Sequence, residues 1–175
     1  MRSCTGGSWL GCDSCPCGSV CQTANMTADA QPLRVVEDTV IVEYGAFLLS
    51  DFPEESRTWT PDFGGSSVQG GLGSVYLLSA GNDHYPAVTI DVLSGEPAAL
   101  ADWELVDETI ATFRVPCVRL LSITSQLGEY VIDLPRAGRW NIRGYSAGRR
   151  AIEDMGAAAF ATGVEHWRLQ MWPVL

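Results

Sequence analysis

The segment Gly144-Tyr145-Ser146-Ala147-Gly148 has the G-x-S-x-G pattern that, in serine hydrolases, exposes a serine nucleophile on a tight strand-to-helix turn. Such a serine needs a histidine base and an acid to orient that base. Glu153, Asp154, Glu165 and His166 follow in a suitable order, but only 27 residues remain after Gly148 to carry them. The segments before the motif are short extended runs joined by turns, not the alternating strands and helices that place such a serine. The expectation is therefore that Ser146 is not a nucleophile and lies near a strand end, with Gly144 and Gly148 marking a bulge or bend. No catalytic residue is assigned.

Asp102, Glu104, Asp107 and Glu108 surround Trp103. Paired carboxylates can hydrolyse a glycosidic bond across a cleft or chelate Ca²⁺. Adjacent acids at a loop-to-strand junction are more often solvated. Trp59 lies in a glycine-rich connection and could stack on a sugar, although packing in a core is the commoner use of tryptophan. Trp59, Asp102, Trp103, Glu104, Asp107 and Glu108 are the candidate binding residues. Asp83 and His84 are expected to cap a hairpin.

Five cysteines, Cys4, Cys12, Cys15, Cys17 and Cys21, crowd the start of the chain. Thiolates at C-x2-C spacing can share one Zn²⁺, yet the one-residue gap between Cys15 and Cys17 suits a single tetrahedral ion poorly. The alternatives are a small disulfide knot, which needs an oxidising compartment, and a flexible Cys/Gly-rich leader over residues 1–33, ahead of a domain at 34–175. Neither a metal nor a cofactor is assigned. Cys117, in an apolar run, is expected to be an inert buried thiol.

The formal charge is -10, and all positive charge is arginine, since the chain has no lysine. This balance disfavours direct contact with nucleic-acid phosphates; it fits a solvated acidic surface or, more sharply, an acidic face that docks on a basic partner. No run approaches the roughly 18 apolar residues of a membrane-spanning helix. A cytoplasmic location with no membrane partner is expected.

At 46% hydrophobic and 18% charged residues the chain can bury a core. From Thr39 onward the apolar residues recur with period 2. "TVIVEYGAFLLSD" reads as one long strand, followed by a flexible glycine-rich loop to Gly73. Further short strands follow at spacings of about 8 to 12 residues. Along "RWNIRGYSA", Trp140 and Ile142 alternate with Asn141, Arg143 and Tyr145, so the arginine side is expected to be solvated. Only "GEPAALADWELVDE" and "RRAIEDMGAAAFA" hold enough helix formers for short helices. The expected fold is all-β, an antiparallel two-sheet β-sandwich of about eight strands with one or two short helices.

Two segments carry a resemblance. "VEYGAFLLSD", with Tyr44 and Phe47, resembles the opening Tyr-x-x-Phe strand of the competence protein J family. "IDLPRAGRWNIRGYSAGR" resembles its Leu-Pro-x-Gly-x-aromatic strand entry through Leu134, Pro135, Gly138 and Trp140. This segment and the closing Leu169, Gln170, Met171, Trp172 and Pro173 are also similar to a group of actinobacterial β-sandwich proteins. The resemblance implies a compact, non-catalytic β protein that inhibits a DNA-entry nuclease by binding it, and it transfers no catalytic residue. The rival expectation is a sandwich that binds a carbohydrate or another small molecule, with the glycine loop and Trp59 or Trp103 at its mouth.

Overall fold

The computed structural model describes residues 30–51, 59–157 and 159–175. The five amino-terminal cysteines lie outside the described residues, as does the expected leader up to residue 29, whereas its last residues Pro32 and Leu33 belong to the first strand. Ten strands and one helix follow in order: β1 Pro32–Asp38, β2 Ala46–Ser50, β3 Val68–Gly70, β4 Ser74–Leu78, β5 Tyr85–Leu93, β6 Leu105–Phe113, β7 Cys117–Ser122, β8 Leu127–Asp133, β9 Gly138–Ala147, α1 Arg149–Met155 and β10 Thr162–Pro173.

They form two open five-stranded sheets. The first has the order β1-β5-β10-β9-β6 and the second β3-β4-β2-β7-β8. The second is antiparallel throughout, whereas β5 and β10 run parallel in the first. The expectation of purely antiparallel sheets is corrected on this point. Parallel neighbours need a long crossover, and here it comprises everything between Leu93 and Thr162.

Alternation along each strand sends one set of side chains into a shared core. Phe47, Leu49, Val75, Leu77 and Leu120 of the second sheet meet Val88, Ile90, Ile142, Trp167 and Leu169 of the first. Phe47 meets Trp167 edge to face across the layers, at 5.7 Å and 82°. Such a contact contributes about 0.5–1.5 kcal/mol beyond burial.

Several local expectations change. The long first strand is divided at Tyr44 and Gly45, whose φ angles of 55° and 69° make a tight turn. β1 precedes it and is solvent-exposed along most of its length, so it carries little period-2 signal. The glycine-rich connection is not merely a flexible loop, because it contains β3. A Cβ at Gly70 would stand 2.4 Å from the Ile110 carbonyl oxygen, so glycine lets β3 approach β6 and closes one side of the two layers. There the Gly73 and Thr112 backbones are joined by a 2.8 Å hydrogen bond. Of the two expected helices, only that at Arg149–Met155 forms. The segment before β6 instead lies over the outer face of the first sheet, where Pro97 O accepts from Arg143 Nη1 and Leu100 N donates to Tyr145 Oη. Arg143 and Tyr145, expected on a solvated side, are therefore buried. Cys117 is free and half-buried.

Candidate functional site

Ser146 is part of β9, hydrogen-bonded in register between β6 and β10, both antiparallel to it. Its side chain is fully buried and its Oγ has no hydrogen-bond partner. His166, paired opposite Ala147, is exposed on the other face of the sheet. The hydroxyl thus has neither a base nor an opening to solvent. Gly148 provides the expected bend with φ 78°, whereas Gly144 stays in regular register and marks no bulge.

The six candidate binding residues do not gather in one place. Trp59 packs on Tyr76 and contacts the cluster of Leu48, Leu121 and Ile123 on the outer face of the second sheet. Trp103 lies against Tyr145 on the outer face of the first. The neighbouring carboxylates have separate local partners. Asp107 accepts from Ser67 N, and Glu108 pairs with Arg143. Glu104 accepts from Gly148 N and Arg149 N, placing an anion at the start of α1 where the backbone donors favour it. Asp102 is exposed with φ 67°. Among the described residues no group of three or more His, Cys, Asp or Glu is arranged to hold a metal ion.

Sequence reasoning missed a buried polar cluster. His84, expected to cap a hairpin, lies instead on the connection from β4 in the second sheet to β5 in the first and points inward. Glu165 Oε2 accepts from Ser79 Oγ at 2.5 Å and stands 3.1 Å from His84 Nε2. Its Oε1 accepts from Ala80 N and Arg149 Nη1, both at 3.2 Å. Burial alone would raise the Glu165 pKa. Contacts from His84, Ser79, Ala80 N–H and Trp167 reverse that and hold it below the ordinary 4.5. The Trp167 Nε1–H is buried without a hydrogen bond of ordinary geometry. His84 Nδ1 has no partner either. A serine triad needs the histidine between serine and acid. Here serine and acid share one ring nitrogen, and both His84 and Glu165 are closed to solvent.

The open side of the two layers offers an accessible site. β1 and β8 are edge strands, bridged by side chains rather than by a backbone ladder. Asp38 accepts from Glu129 N at 3.0 Å and Tyr130 N at 3.2 Å, while Arg34 pairs with Asp133 at 3.2 Å. Beside the Asp38 clasp lies a groove of about 300 Å³, whose lining includes Glu37, Asp38, Thr39, Glu129 and Tyr130 and, among the described residues, no arginine. A hydrogen bond to Glu129, with repulsion from the Glu129 and Asp38 charges, raises the Tyr130 pKa above its ordinary 10. The phenol therefore stays a neutral donor in a negative groove.

Several of the described arginines have partners of their own. Arg114 pairs with Asp51, Arg168 with Asp91, Arg143 with Glu108 and Glu96, and Arg149 with Glu165. Arg119 and Arg136 donate to the carbonyls of Gly128 and Val174. No helix among the described residues is long and apolar enough to cross a membrane.

No protein-family model and no curated protein sequence matches the chain. Its fold is similar to two solved structures. One is ComJ, inhibitor of the DNA degrading activity of NucA, from Bacillus subtilis, with TM-score 0.49 and 12% identity, covering 84% of this chain and 100% of that one. The other is the product of crocagin biosynthetic gene J, with TM-score 0.53 and 14% identity, covering 81% and 98%. At these identities the likeness is one of fold.

Proposed function

We propose that this β-sandwich is a non-catalytic binding module for a basic protein surface, and that its partner is a nuclease whose DNA groove it occupies. The observation that carries this reading is the groove between β1 and β8, where Glu37 and Glu129 are exposed beside the half-buried Asp38 and no described arginine lines the space. A chain of net charge -10 without lysine adds a long-range field of the same sign. Opposed fields steer association and reject partners of like charge. The motif resemblance to the competence protein J family supplies the class of partner. An inhibitor of this kind needs no reacting group, only a surface that excludes DNA from the nuclease.

The test measures DNA degradation by nucleases of the source cell with and without the purified protein. Inhibition is expected at low salt and should fade between about 0.01 M and about 1 M, as the Debye length drops from about 30 Å to about 3 Å. Replacing Glu37 and Glu129 together by glutamine should weaken inhibition about five-fold at low salt, mainly by slowing association. Asp38 is left intact because it holds the two sheets together. Undiminished DNA degradation at low salt would refute the reading.

A further inference from the structure

We propose that the aromatic pocket on the outer face of the second sheet takes an arginine side chain of the partner. The inference rests on the reading that this partner is basic. The pocket, of about 190 Å³, is lined by Tyr44, Trp59, Phe63, Tyr76 and Ile123, with Thr60 and Pro61 at its margin and, among the described residues, no charged side chain.

Tyr44 is the first reason to assign it a ligand. Tyr44 and Gly45 are the two central residues of a tight turn closed by reciprocal backbone bonds between Glu43 and Ala46. Both have left-handed φ, 55° and 69°. Asn, Asp and Gly occupy the first of these positions most easily, and a bulky aromatic is disfavoured there. Its ring contributes little to the core, being 72% exposed, and Phe63 is 60% exposed. Fold stability gives no reason for two solvated rings beside one pocket, one of them on a disfavoured backbone. Strained positions of this kind mark functional surfaces.

The polar atoms decide the class of ligand. Trp59 Nε1–H donates to Ser74 Oγ at 3.1 Å, and Tyr76 Oη–H donates to the Trp59 carbonyl at 3.1 Å. The inner aromatic donors are thus committed within the protein, so the floor of the pocket offers ring faces, with the Tyr44 and Thr60 hydroxyls only at its edge. Ring faces attract cations, and the planar, weakly hydrated guanidinium stacks on them better than an ammonium does. The net charge of -10 draws the same kind of ligand.

The experiment titrates the protein with a glycine-flanked arginine peptide, its neutral citrulline counterpart and a neutral disaccharide, following the Trp59 indole N–H resonance. The arginine peptide should shift that resonance saturably, with citrulline roughly three-fold weaker or more. Tyr44→Asn should raise the melting temperature while weakening the peptide by a similar factor. Phe63→Leu, which keeps the apolar surface but removes the ring, should also weaken it. Equal binding of citrulline, no response to arginine, or a response to the disaccharide alone would overturn the assignment. Nuclease inhibition weakened on neutralising Glu37 and Glu129 but intact in Tyr44→Asn would remove the pocket from the partner interface and leave the acidic groove standing. Peptide binding without any nuclease inhibition would instead sink the nuclease reading and leave the pocket's cation preference intact.

Discussion

Glu165 and His84, 81 residues apart in sequence, meet with Oε2 and Nε2 at 3.1 Å and both side chains fully buried. Ser79, Ala80 and Arg149 complete the shell around the carboxylate. The cluster ties the start of β10 to the β4–β5 connection and to α1. A charge in this position is tolerated only because each oxygen is partnered.

Glu165→Gln should therefore destabilise the protein by about 3–5 kcal/mol, read from the urea midpoint, because Arg149 and His84 lose the anion they surround. The pH dependence has a definite sign. A lowered folded pKa means that the carboxylate's contribution is complete above the ordinary 4.5 and is lost as pH falls below that value through the folded one. The melting temperature of the wild type should drop in that acid window, and the glutamine variant should lack this part of the drop. A wild-type acid profile shared by the variant would refute the assignment.

Gly148 and Gly45 separate backbone strain from collision. Both have positive φ, but a Cβ at Gly45 meets nothing within 4 Å, whereas one at Gly148 would stand 2.1 Å from Val164 O. Gly45→Ala should cost about 1 kcal/mol. Gly148→Ala should cost more than about 3 kcal/mol, since the β9–α1 bend must also move away from β10. Equal costs from chemical denaturation would contradict the packing described for this bend.

Ser146→Ala removes a buried hydroxyl that has no partner. The expected result is a change between neutral and about 2 kcal/mol of added stability. A fluorophosphonate probe should leave the wild type unlabelled. Stoichiometric labelling that disappears in Ser146→Ala would instead establish an accessible nucleophile.

Much of the architecture is legible in the chain because alternation is a local signal. Trp140 and Ile142 on β9, like Trp167, Leu169 and Met171 on β10, announce an inner face without reference to any partner strand. Other features have no such signal. β1 is missed because an exposed edge strand has no buried side to alternate with. Arg143 reads as solvated, since nothing in its own strand tells that Pro97 will cover it. The candidate carboxylates near Trp103 are close in sequence, yet each meets a different partner once β6 is paired.

Residue order and type alone set which segments extend, where α1 forms, the acidic excess and the lack of lysine. Those properties depend on neighbours a few positions away or on simple totals. Tertiary structure alone decided that β5 and β10 lie parallel, that Glu165 reaches His84, and that Glu37 and Glu129 share a groove. The physical reason is that such pairings depend on how two layers close over one core, and many registers satisfy the same alternation until the whole chain is packed.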